Sequence, residues 1–206
     1  MTCGLPINAG AQVMSVRSAI ILGVLVLVLF YGVFIYNTLV QLKHGVSRAW
    51  ANIDVLLKQR HDELPKLVEV CRQYRDFEQA TLERVIAARG KVQEASQQRD
   101  MGALGEAEGA LRASTMRLFA VAEAYPELRA NEHFMQLQAR ITTLENGIAD
   151  RRELYNDSVN LLNVGRDQFP DLVIARLFGF EEAALLEFAA GEKADVDMAA
   201  LFRPAA

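Results

Sequence analysis

His61, Asp62 and Glu63 stand side by side in QRHDELPKLVE, residues 59–69. Imidazole and carboxylate groups bind metals and move protons. Successive side chains on a helix point roughly 100° apart, however, so three in a row cannot converge on one ion. The spacing His-Glu-x-x-His is absent, because none of His44, His61 and His133 has a second histidine four residues away. There is neither a Gly-x-Ser-x-Gly elbow nor a phosphate-binding glycine loop. No catalytic, metal or cofactor-binding residue is therefore assigned. Structurally, Asp62 can serve as an N-cap that leaves Pro65 in the first turn of a helix. Glu63 then lies near that positive helix end, while Arg60 and His61 lie near the negative end of the preceding helix. If the helix instead continues, Pro65 kinks it at the same place.

Two further groups invite a functional reading. Asn156, Asn160 and Asn163 are spaced four and three apart and share a helix face. They suit a buried polar layer that fixes register, an amide-lined ligand cleft, or a solvated face. The aromatic run Phe169, Phe178, Phe180 and Phe188 suits a cap on the end of a bundle, or a protein-docking or membrane-surface patch.

The elements that must position these residues begin with an uncharged stretch, residues 18–42, after a short segment of residues 1–17. Its centre, AIILGVLVLVLFYGVFIY, spans ~30 Å as a helix, the thickness of a bilayer's hydrocarbon core. A cleaved signal peptide would end in small residues rather than Phe34, Ile35 and Tyr36. Tyr31 and Tyr36 fit an interfacial aromatic belt. Arg17 precedes the span whereas Lys43 and Arg48 follow it, which favours an outside amino terminus and a cytoplasmic domain. All 26 acidic residues lie beyond the span, and no basic patch with interleaved aromatics appears, which argues against a nucleic-acid partner. Cys3 and Cys71 lack disulfide or metal spacing, and Cys71 falls on an apolar helical stripe.

Helical periodicity fills residues 43–190 and no stretch alternates as a strand does, so the domain is expected to be all-α. The pattern predicts a first helix reaching Arg60, with Val46, Trp50, Ile53 and Leu57 on one face. A second is expected over about 62–99, with Leu64, Leu67 and Cys71 on its stripe, and a glycine-weakened turn near 99–103. A third should cover about 104–124, stopping before Pro126. A fourth, roughly forty residues long and ~60 Å in extent, follows Phe134, Leu137, Ile141, Leu144, Ile148, Tyr155, Val159 and Leu162 as far as Phe169-Pro170. Short connections favour an antiparallel bundle of long helices behind the transmembrane helix. A homo-oligomeric coiled coil is the alternative. The tail, residues 191–206, is expected to be disordered.

Three stretches, IYNTLVQLKHGVSRAWANIDVLLKQRHDELPKLVEV, AVAEAYPELRANEHFMQLQARITTLENGIADRRELYNDSVNLLN and FPDLVIARLFGF, resemble the LemA family of bacterial membrane proteins over about residues 31–180. The family pattern near the proline is close to Arg-Arg-His-Asp-Leu-Ile-Pro-Asn-Leu-Val. Arg60, His61, Asp62, Pro65, Leu67 and Val68 match it, whereas Gln59, Glu63 and Lys66 differ. The resemblance implies an amino-terminal transmembrane helix, a short outside amino terminus and a helical bundle, and it brings no catalytic residues. Three functions are then open. The first is a non-enzymatic scaffold or adaptor in the bacterial inner membrane, contacting the lipid bilayer and a membrane or envelope protein. The second is a regulatory subunit that binds a membrane peptidase or transporter. A metal-dependent hydrolase using His61 with Asp62 or Glu63 ranks last.

Overall fold

The computed structural model describes residues 9–74 and 77–187, with side chains from residue 17 onward. Expectations for Cys3, Phe188 and the tail at 191–206 fall outside the described residues. Helices account for the regular structure in order: α1 (Ala9–Arg72), α2 (Gln79–Gln98), α3 (Met101–Ala122), α4 (Pro126–Arg129), α5 (Glu132–Asp167) and α6 (Asp171–Leu177). No strand occurs among the described residues. The chain divides into two compact units, Met1–Gly45 with Leu161–Ala183, and Val46–Asn160 with Ala184–Ala206.

The expected break at Asp62 does not occur, and Asp62 is not an N-cap. α1 runs through Pro65 to Arg72. Its buried side chains Ile53, Leu57, Arg60, Leu64, Leu67 and Cys71 recur every three or four residues on both sides of the proline, so one continuous stripe holds the helix together. Pro65 itself is exposed, where its ring meets solvent rather than the core. α1 ends instead by tightening into a turn, with Gln73 and Tyr74 donating their backbone N–H groups to the carbonyls of Val70 and Cys71 at 3.3 and 3.1 Å.

The second turn also differs in cause from the glycine reading. Arg99 takes the left-handed conformation (φ 53°), and Asp100 then caps α3 by accepting from Ala103 N–H at 3.0 Å. α3 thus starts at Met101, and Gly102, Gly105 and Gly109 lie inside it. With two residues between them, α2 and α3 form an antiparallel hairpin. Pro126 opens α4 at a position where its missing N–H breaks no bond. Asn131 then accepts from Phe134 N–H at 3.1 Å at the start of α5. The core of the second unit combines the α1 stripe with Val85 and Val92 of α2, Leu104, Leu111 and Leu118 of α3, and Ile141, Leu144 and Ile148 of α5. Each Leu, Ile or Val among them, fully buried, contributes roughly 1.5–3 kcal/mol.

In the first unit, Ile35 and Leu39 of α1 are buried with Ala175 of α6, and Ile174 and Phe180 pack against them. α5 also approaches α1 closely there. A Cβ at Gly165 would lie 3.0 Å from Leu42 Cδ1, nearer than packed carbons sit. α1 carries a stretch long and apolar enough to cross a membrane, and its large side chains from Ile20 to Phe34 are exposed.

Candidate functional site

The motif that raised the question of chemistry sends its side chains in separate directions. Pro65 has no N–H to give to the carbonyl four residues earlier, which leaves the His61 carbonyl free. Arg89 of α2 fills that role, its Nε donating to His61 O at 2.9 Å while its guanidinium also bonds His61 Nε2. The ring nitrogen facing Arg89 must then accept, so the imidazole is neutral with its proton on Nδ1. Burial, followed by the Arg89 charge, holds His61 below its ordinary value of 6.5, against a smaller upward pull from Asp62. Asp62 is exposed. Glu63 is buried and points to a third set of partners, Lys66 Nζ at 3.1 Å and Arg140 Nε of α5 at 3.0 Å. Lys66, where the family pattern has an amide, therefore serves an ion pair.

Arg60, on the buried stripe, meets a charge that sequence reasoning missed. It is only 2 % exposed, and its guanidinium pairs with Glu108 of α3, itself 3 % exposed. Gly109, next to Glu108, lines the same small cavity. Glu145 of α5 completes the group. With it, Arg60, Glu108, Arg112 and Glu145 line this cavity of about 20 Å³, the size of one water molecule. Arg60 Nε and Glu145 Oε1 are buried without a protein hydrogen-bond partner. Burial raises the pKa of Glu108 above the usual carboxylate range, against the pull of Arg60. Burial likewise raises Glu145, with Arg60 and Arg112 opposing and Glu108 reinforcing. Glu108 lies among small residues and Glu145 between Leu144 and Ile148, so a lone acid on an apolar face was the available signal.

The asparagines hold backbone. In the first unit, Asn163 accepts from Ala183 N–H at 3.0 Å and donates to Ala183 O at 2.9 Å. In the second, Asn156 makes the same two-bond pairing with Leu186, at 2.9 and 3.1 Å, and Tyr155 OH donates to Ala184 O at 3.0 Å. An amide side chain matches a peptide group donor for acceptor, which is why asparagine suits this task. Asn160 is exposed. Phe178 and Phe180 bracket Tyr36, with ring centroids 4.8 and 5.9 Å away. Gly179, at φ 68°, forms the left-handed turn that lets Phe180 N–H reach Ala175 O at 2.9 Å and folds Phe180 back. Phe169 is exposed.

No group of three or more His, Cys, Asp or Glu side chains among the described residues is placed to hold a metal. The sequence profile of the LemA family matches residues 49–199. The chain belongs to the LemA family. Two magnetosome proteins of Paramagnetospirillum magneticum (strain ATCC 700264 / AMB-1), MamQ 1 and MamQ 2, are each 23 % identical to this LemA-family chain over 193 residues. The alignments cover 82 % of this chain and 71 % of each relative. Family, fold and apolar segment together describe a membrane-associated helical protein.

Proposed function

We propose that this LemA-family chain is a non-enzymatic scaffold or adaptor, anchored in the bacterial inner membrane by residues 18–42, that offers a helical bundle to a membrane or envelope protein. The observation that carries the reading is the commitment of His61. Its carbonyl and ring both engage Arg89, and its neighbours Arg60 and Glu63 are tied to Glu108, Lys66 and Arg140, so the motif spends its polar groups on helix packing. A partner surface remains on the outer side of α1. Lys58 and Asp62 border a groove of about 390 Å³ between α1 and α2, with Ser96 and Gln97 on its far wall. This polar rim suits a protein contact and equally fits a regulatory subunit of a membrane peptidase or transporter. The MamQ relatives are named magnetosome proteins and not enzymes, which is in keeping with this reading.

The proposed orientation places the amino terminus outside and the bundle in the cytoplasm. Cys3 tests it, because Cys71 is fully buried and burial pushes its thiol up to about 12, leaving it unreactive. A membrane-impermeant maleimide should label Cys3 in intact spheroplasts; protection until lysis reverses the orientation. The function is tested by cross-linking in cells with partners identified by mass spectrometry. Capture of the same membrane proteins by the native chain and by His61→Ala, and its loss in an anchorless chain, is the expected result. A metal-dependent activity abolished by H61A, D62N and E63Q without loss of stability contradicts it.

A further inference from the structure

The aromatic run Phe169, Phe178, Phe180 and Phe188 was expected to cap a bundle, dock a protein or face a membrane, and the packing of residues 169–180 in the first unit favours the last. α6 lies against α1 where the apolar stretch ends. A Cβ at Gly32 would lie 3.7 Å from Ile174 Cδ1, so α6 reaches back to the level of Gly32. A hydrocarbon core of ~30 Å takes about 20 helical residues. Counted from Ser18, that length ends near Asn37, which places the contact between Gly32 and Ile174 inside the acyl region, roughly 8 Å from its edge.

The side of this segment turned away from α1 is apolar as well. Phe169 is 84 % exposed, Leu177 73 %, Phe178 57 % and Val173 56 %. Ile174 meets α1 at Gly32 and Phe178 meets it at Tyr36, so this apolar side joins α1 at the end of the exposed stretch from Ile20 to Phe34. The polar groups are graded along the same axis. Tyr36 packs on Phe178 and Phe180. Lys43 Nζ, eleven residues beyond Gly32 and so roughly 16 Å further along α1, stands 5.9 Å from the centroid of the Phe180 ring. Aromatic rings and lysine heads settle at the headgroup level of a bilayer, and an exposed arginine on α6, Arg176, adds a group for lipid phosphate.

We propose that residues 169–180 form a second membrane element, an interfacial wedge lying in one leaflet beside the spanning helix, with Phe169, Val173, Leu177 and Phe178 against lipid. Lipid rather than protein is the occupant because the face is continuous with the span that the same bilayer must cover. The inference rests on the membrane anchoring proposed above.

The test uses the full chain in liposomes, with the single tryptophan removed by W50F and one returned at a chosen site. L177W and F169W report on the wedge, L27W on the span and M116W on an exposed position of the bundle. The readout is quenching by phosphatidylcholine brominated on its acyl chains. L177W and F169W should be quenched to within about twofold of L27W, with M116W near zero. Quenching of L27W alone overturns the wedge and leaves the anchor standing, as it would if a second copy or another protein covered the face. Absence of quenching at L27W overturns both. The tested side chains are exposed, so the substitutions disturb little packing, and should L177W fail to fold, F169W reads the other end of the same face.

Discussion

The two units of this chain treat polarity in opposite ways. In the first, large apolar side chains from Ile20 to Phe34, and Phe169, Val173, Leu177 and Phe178, face outward. In the second, charged side chains are buried: Arg60 with Glu108, and Glu63, which the exposed Lys66 and Arg140 reach from outside. Helical periodicity is the same in both. What differs is the solvent each exposed face must satisfy. Outward apolar groups are stable where lipid replaces water. Inward charges are stable only where each has a partner, because removing an ion from water is costly. Periodicity therefore assigns the elements, while the chemistry at the off-pattern positions tells which unit is which.

The largest effect should come from orphaning a buried charge. Arg60→Met leaves Glu108 without its partner and should cost about 3–5 kcal/mol in denaturant unfolding. The double variant R60M/E108L, which replaces the pair by apolar groups, should recover most of that loss. Asparagine comes next. Asn156→Ala removes both bonds to Leu186 and should cost about 1–3 kcal/mol, with faster amide exchange at Leu186. Asn163→Ala should do the same at Ala183 in the first unit. Asp100→Ala loses a helix cap and should cost about 1 kcal/mol, whereas Asp62→Ala should stay within about 0.5 kcal/mol, since Asp62 caps nothing.

The smallest effect is a titration. His61 is held below 6.5 when folded, so its contribution to stability is full above that value and is lost as pH falls from there through the folded pKa. Glu108 and Glu145 act oppositely. Their folded values lie above 4.5, and their contribution is greatest at low pH and declines as pH rises through those values. Arg89→Ala removes one cause of the His61 shift. Its imidazole resonance should titrate closer to 6.5, and the pH slope of stability on that side should flatten.

The all-α class, the apolar span and the stop before Pro126 were legible because each rests on local pattern. The misplaced break at Asp62 came from reading Pro65 and a nearby cap residue as local signals. Cys71, Leu67 and Leu64 were already visible on one stripe, Ile53 and Leu57 on another, and the two are in phase with Arg60 as the missing rung. A buried arginine interrupts an apolar pattern on paper and completes it in space. The carbonyl released by Pro65 was deducible, but the identity of its donor, Arg89, depends on tertiary packing 28 residues away. Glu108 and Glu145 were illegible for a related reason. Only the meeting of α1, α3 and α5 shows that a guanidinium is there to receive them. The asparagines were recognised as sharing a face, and their partners, the backbones of Ala183 and Leu186, carry no side-chain signal at all.

In the scaffold role proposed above, the buried charges organise the bundle that a membrane or envelope partner meets. Partner capture by R60M/E108L tests this role most directly, measured in cells by cross-linking and mass spectrometry after folding has been verified by circular dichroism. The folded double variant should capture the same membrane proteins as the native chain. A folded variant that loses them would show that Arg60 and Glu108 act on something beyond the bundle, and would contradict it.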